Sequence, residues 1–259
     1  MSLFVLSLIS MENSKLVNKM LTWLQECDGD VQFFGNTSIH DATIVEYLAN
    51  IRDFECPDSY SLINNSICII EHFEFDSTVA NRKGSKSRTE LSKINSSFKK
   101  LKATEKGIVN HDILDVQYSA KNYIDNALQN FDNHYLKIDS YIQNLRNYKI
   151  LNNDTKIAIG FFIEDATILG NLCIPEDWQP PKPLILVHCK QFLDKFEECS
   201  KLDFCFCASS YGQHSCLWFI NKEFISEYRK HQIDVDKIKI ADLSPRVMEF
   251  KKIIPNEPL

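Results

Sequence analysis

The run Ile67 to Phe75, IleCysIleIleGluHisPheGluPhe, has the apolar density of a buried strand, yet it carries Glu71, His72 and Glu74. Alternate side chains of a strand share a face, so Ile67, Ile69, Glu71, Phe73 and Phe75 point one way, and Ile70, His72 and Glu74 the other. Glu71 therefore sits among four large apolar groups, where an ionised carboxylate is costly unless it is ion-paired, protonated or metal-bound. It is the foremost candidate for a functional residue. His72, on the opposite face, is expected to be a surface or hydrogen-bonded histidine, because sharing a metal with Glu71 would require a bulge.

Around this strand the hydrophobic periods predict alternating helices and strands. Leu16, Val17, Met20, Trp23 and Leu24 recur at helical spacing over Ser14 to Glu26, followed by a short strand at Val31 to Phe34. Ser38 with Asp41 resembles a capping box opening a helix through about Arg52, with Ile44, Val45, Leu48 and Ile51 on its apolar stripe and Glu46 beside it. After a turn at Asn64-Asn65 and the strand 67–75, the polar stretch Ser77 to Ser87 reads as a loop. An amphipathic helix is expected over Ser87 to Ala103, then one long helix carrying Val116 through Leu145 and ending near Tyr148.

The last hundred residues predict strands at Lys156 to Glu164, Leu184 to Val187, Phe204 to Cys207 and Cys216 to Ile220, with helices at Gln191 to Cys199 and Glu223 to His231. Strands interspersed with helices indicate an α/β fold with a mixed sheet flanked by helices. The absence of a Gly- or Ser-rich linker favours one domain over 1–259, with the segment from about 87 to 150 inserted as a helical lobe.

Composition narrows the class further. With 44% hydrophobic and 25% charged residues and seven glycines, the chain is not collagenous, repetitive or largely disordered. Nine scattered cysteines without a CxxC pair fit a reduced, cytoplasmic protein. The apolar run Leu3 to Ile9 lacks a basic flank and falls short of the roughly 20 residues of a spanning helix. Either Met11 is the biological start, or this run packs on the core. No later segment has membrane-spanning character, so no membrane partner is expected.

The net charge of −6 hides an asymmetry, because Arg82 to Lys106 holds nine basic residues against two acidic ones. A basic block in an acidic chain suits a phosphate backbone, with Arg82, Lys83, Lys86, Arg88 and Lys93 as the nearest contacts; the alternative is a solvated helix face.

A helix bearing Glu46, the pair Pro57-Asp58 and an apolar strand bearing Glu71 follow one another in an order that resembles the PD-(D/E)XK, or restriction-endonuclease-like, nuclease superfamily. The resemblance covers about residues 41 to 76. It implies that Asp58 and Glu71 are ligands of Mg²⁺, that Glu46 is an auxiliary carboxylate, and that the activity is metal-dependent hydrolysis of nucleic acid. Hard oxygen ligands and a water of lowered pKa are what that chemistry needs. The superfamily lysine belongs two positions beyond the strand carboxylate, where this chain has Phe73, so it would have to come from elsewhere, for instance Lys83, Lys86 or Lys93. Without it, the resemblance equally implies a non-catalytic module binding nucleic acid or protein, its acidic strand ion-paired to the basic block.

Glu164-Asp165 ends a second apolar strand, where α/β folds place their clefts; Glu164 either joins Asp58 and Glu71 within about 5 Å at one metal or merely caps the strand. His188-Cys189 cannot act as a dyad, since adjacent strand residues point apart. Cys205, Cys207, His214 and Cys216 depart from zinc-finger spacing and read by default as core packing.

Overall fold

The computed structural model describes residues 14–26, 31–33, 40–77, 80–81, 84–85, 92–93, 96, 107–116, 119–167, 173–174, 182–211, 214–238 and 246–254. Helix α1 (Lys15–Glu26) and strand β1 (Val31–Phe33) precede helix α2 (His40–Ala49) and the strands β2 (Ile51–Asp53), β3 (Ser59–Ile63) and β4 (Ser66–Phe75). A small hairpin, β5 (Ala80–Asn81) and β6 (Gly84–Ser85), and strand β7 (Gly107–Val116) lead to helices α3 (Ala120–Tyr135) and α4 (Ile138–Asn147). Then come β8 (Lys156–Asp165), β9 (Cys173–Ile174), β10 (Lys182–Pro183), α5 (Lys190–Glu198), β11 (Phe204–Tyr211), β12 (His214–Asn221), α6 (Ile225–Arg229) and β13 (Arg246–Ile254).

Seven strands form a mixed sheet in the order β1-β12-β11-β8-β4-β3-β2. Its centre is parallel: β4 pairs with β8 and β8 with β11 in the same direction, while β2 and β3 are antiparallel to their neighbours and β12 is antiparallel to β11 but parallel to β1. Parallel strands buried on both faces read as continuous apolar runs, as β4 and β8 do. The chain is thus α/β with a mixed sheet between helices. On one face Ile67, Ile69, Phe73, Phe161, Ile163, Cys205 and Cys207 pack against α3, α4 and α5. On the other, Cys68, Ile70, Phe162, Phe206 and Leu217 pack against Leu16, Val17 and Met20 of α1 and Leu48 of α2. Each fully buried aromatic or aliphatic side chain contributes about 1.5–3 kcal/mol.

One close approach is sequence-specific. Gly160 of β8 pairs in register with Phe204 of β11, whose ring occupies the place a Cβ at 160 would take. The glycine lets the ring lie flat on the neighbouring strand.

Several expected elements differ. The long helix expected to end near Tyr148 begins after Ser119, whose hydroxyl accepts from Asn122 N at 3.0 Å, because Val116 ends strand β7 instead. It also breaks at Leu136-Lys137, where Lys137 N bonds back only three residues, to His134 O at 3.0 Å. The bend returns both halves to the sheet, burying Tyr123, Ile124, Ala127 and Phe131 from α3 and Ile138, Tyr141 and Leu145 from α4. Both helices join the central core instead of standing off as a lobe. β7 pairs antiparallel with β13, a ladder that neither segment's residue pattern announced.

Leu184 to Val187 is not a strand. All four residues are buried, and their apolar run, which lacks alternation, enters a 3-10 turn over Leu186–His188 with Cys189 N bonded to Leu186 O at 2.9 Å. The stretch Ser77 to Ser87 contains the β5–β6 pairing. Ser92, Lys93 and Ser96 are helical; the rest of the helix expected over Ser87 to Ala103 lies outside the described residues.

Candidate metal centre

Glu71 does lie on the apolar face of β4, buried between Ile69 and Phe73, and its carboxylate is met by hydrogen bonds. Its Oε1 is 2.9 Å from His134 Nδ1 of α3 and accepts from the Tyr141 hydroxyl of α4 at 2.7 Å. Its Oε2 accepts from Asp58 N at 3.1 Å. Burial pushes the carboxyl up, but the hydrogen bonds from His134, Tyr141 and Asp58 outweigh it and hold the pKa below the ordinary value. Phe73 stacks on the same imidazole at 4.7 Å. The position where the resemblance expects a lysine thus carries the ring that steadies His134.

Asp58 is half-buried beside Glu71, and its Oδ2 accepts from the backbone N of His72 at 2.8 Å. Burial raises its carboxyl above the usual range. Asp58 and Glu71 are therefore neighbours, but each holds backbone or side chains of the scaffold. Glu46 is exposed on α2, the helix packed against the opposite face of the sheet from Glu71. Glu164 also lies opposite Glu71: it pairs in register with Glu74, two positions from His72. Of the two readings of Glu164, a shared ion with Asp58 and Glu71 is not what is seen, because strand alternation puts Glu164 on the face of the sheet opposite Glu71.

Glu164 instead gathers with His72 and Glu74, whose ligating atoms all lie within 4.8 Å of one another. His72 Nε2 is 2.9 Å from Glu164 Oε2. Into this group projects Lys19 of α1, donating to Glu74 Oε1 at 2.5 Å and Glu164 Oε2 at 2.6 Å, with His72 Nε2 at 3.3 Å. Trp23, one helical turn on, donates its indole N–H to Glu164 Oε1 at 2.7 Å. Burial pushes the Glu164 carboxyl up, but His72, Lys19 and Trp23 together hold its pKa down at about 2. Burial pulls the Lys19 ammonium down, and Glu164 and Glu74 more than offset it, leaving it raised.

The site lies at the C-terminal ends of the parallel strands β4 and β8, the edge where open α/β sheets bind ligands. Its donor set, two carboxylates and one imidazole, matches the ligands of catalytic zinc or of manganese. A lysine ammonium already stands beside all three donors. One positive and two negative charges leave the cluster net anionic when His72 is neutral.

Sequence reasoning placed His72 and Glu74 on one face of β4 but did not place Glu164 with them, and it missed Lys19 and Trp23. The signal was present: Lys19 is three residues after Leu16 and four before Trp23, which puts a lysine at the margin of the apolar stripe of α1. His134 was equally visible, three residues after Phe131 and four before Ile138.

Beside Glu164, Asp165 points to the other face, buried, accepting from Thr167 N and Oγ1 at 3.0 and 2.5 Å. Burial drives its pKa up to about 6, with Asp76 adding to the rise. Cys205, Cys207 and Cys216 are buried core thiols, and the described residues do not bring them into a metal-binding group. Cys189 donates to Ile185 O within the core, and burial raises its thiol. Of the expected nucleic-acid contacts, Lys93 is exposed; Arg82, Lys83, Lys86 and Arg88 lie outside the described residues. No described helix is long and apolar enough to cross a membrane. No protein-family model, curated protein or solved structure matches this chain.

Proposed function

We propose that this chain is a divalent-metal-dependent hydrolase of nucleic-acid phosphodiester bonds, with the ion held by His72, Glu74 and Glu164. One observation carries the reading: three ligand atoms of metal-binding type converge within 4.8 Å at the C-terminal ends of the central parallel strands. The imidazole shifts the expected ion from Mg²⁺, which prefers an all-oxygen shell, towards Mn²⁺ or Zn²⁺. Such an ion polarises a phosphoryl oxygen and supplies a water of lowered pKa.

Lys19 takes the part of the lysine that Phe73 excludes from the strand. Entry of the ion displaces its ammonium from Glu74 and Glu164, and the freed Nζ, on a side chain that is 39% exposed, is then free to orient a water or a phosphate oxygen beside the ion. Asp58 and Glu71 act from behind: Asp58 fixes the backbone of His72, and Glu71 fixes that of Asp58. The basic block supports a nucleic-acid substrate, since it follows β4 directly from the end that bears the site.

The test is cleavage of single- and double-stranded DNA and RNA by purified protein with Mn²⁺, Zn²⁺ or Mg²⁺. His72→Ala and Glu164→Gln should each abolish it. Cleavage that survives both substitutions would overturn the assignment. A second reading, a binding module without catalysis, is favoured by Lys19, which already ion-pairs with both carboxylates; salt-sensitive nucleic-acid binding with no cleavage would select it. In that case the acidic strand's partners are Lys19 and His134, and not the basic block.

A further inference from the structure

We infer that the cavity between α1, the Asp53–Cys56 turn and α4 is a pocket for one unpaired nucleobase carrying an exocyclic amine, adenine, cytosine or guanine; this rests on, and refines, the nucleic-acid reading above. The cavity measures about 860 Å³. Lys15, Phe54, Asn144 and Tyr148 line it.

Its position relative to the metal centre follows from α1. Asp53 caps that helix, its carboxylate accepting from Ser14 Oγ at 2.8 Å and from Lys15 N at 3.0 Å. Lys15, which lines the cavity, and Lys19, whose ammonium touches Glu74 and Glu164, lie one turn apart on α1, a rise of about 6 Å along its axis.

Its chemistry is that of a base site. Tyr148 is 68% exposed, an unusual state for a large ring, and Phe54 meets it edge-on at 5.2 Å and 87°. An edge contact leaves a face of the tyrosine open, and a nucleobase stacks on an aromatic face irrespective of sequence. Phe54 is itself braced by Tyr60 at 5.6 Å, so the platform is fixed before any ligand arrives. The polar lining discriminates among bases. Glu55, exposed on the cavity wall, is a hydrogen-bond acceptor, which suits the amino groups of adenine, cytosine and guanine and offers nothing to the carbonyl at the same place in thymine or uracil. Lys15, exposed at the rim, suits the adjoining phosphate.

The test is fluorescence anisotropy with labelled oligo(dA), oligo(dC) and oligo(dT) in EDTA, so that binding is read without the metal. Oligo(dA) and oligo(dC) should bind several-fold more tightly than oligo(dT), and duplex DNA should not compete for the pocket. Tyr148→Ala should weaken oligo(dA) binding about tenfold and erase the preference, whereas Tyr148→Phe should retain both. Tyr148 is exposed, so its truncation should leave the melting temperature unchanged, which is checked alongside. Equal binding of the wild type and Tyr148→Ala, or no binding of any oligonucleotide, overturns the proposal. The two readings fail separately: binding in EDTA without metal-dependent cleavage rejects only the hydrolase, and cleavage with Tyr148→Ala binding intact rejects only the pocket.

Discussion

Glu71 and His134 meet at 2.9 Å between β4 and α3, and the pair is completed by the Tyr141 hydroxyl from α4. The carboxylate that most constrains the strand is thus the point at which two helices are fastened to the sheet. Its second oxygen reaches Asp58 N, so the same group also sets the turn that holds His72.

Removing one partner should be costly. Glu71→Ala leaves the Tyr141 hydroxyl and Asp58 N–H without their acceptor, and His134→Ala takes from the buried carboxylate its contact with the imidazole. Each should destabilise the protein by about 3 kcal/mol in urea unfolding, with Glu71→Gln milder because an amide oxygen still accepts. Equal stability of Glu71→Ala and wild type would show that the pair carries little of the packing.

Acid should act through Glu164. Its folded pKa of about 2 lies below the ordinary 4.5, so its contribution is fully present above pH 4.5 and is lost as the pH falls towards 2. The loss should be on the order of 2–3 kcal/mol, and Glu164→Gln should flatten the stability profile over that window. Thermal melts at half-unit steps read it directly.

Asp165, the next residue, should do the opposite. Its folded pKa of about 6 exceeds the ordinary 3.8, so stability falls as the pH rises between those values. Asp165→Asn keeps an acceptor for Thr167 and removes the charge; the variant should be more stable than wild type at pH 7.5 by about 1–3 kcal/mol and indistinguishable near pH 4.

Lys19→Ala should separate metal binding from catalysis. Without the ammonium that contacts Glu74 and Glu164, Mn²⁺ or Zn²⁺ should bind more tightly by calorimetry, while cleavage falls. Weaker binding in the variant would mean that Lys19 does not compete with the ion.

Gly160→Ala should cost about 1–3 kcal/mol, since the new methyl group meets the ring of Phe204. A compensating Phe204→Leu in the same chain should recover part of the loss, measured as a melting temperature.

The elements whose logic is local were legible. The alternation in Ile67 to Phe75 and the apolar run Lys156 to Glu164 identified the two central strands, and the stripe of α1 identified its helix. The opposite faces of Glu71 and Glu74 within β4 were legible too, since they depend only on period two. What the sequence could not show was which strands are neighbours: Glu164 belongs with His72 because β8 lies beside β4 in a particular register, a pairing set by packing over ninety residues of separation. The ladder of β7 with β13 was hidden for the same reason, and the break between α3 and α4 because Leu136 interrupts no apolar period.

The cluster draws on residues 19, 72, 74 and 164, with up to 145 positions between partners. During synthesis no fragment ending before β8 can hold it, however well β2 to β4 have paired. The acidic face of β4 therefore emerges from the ribosome after its cation, Lys19, and waits for the second carboxylate from a strand made much later. A nascent chain arrested before residue 164 should neither take up metal nor cut, which confines any hydrolytic activity to molecules whose central sheet is finished.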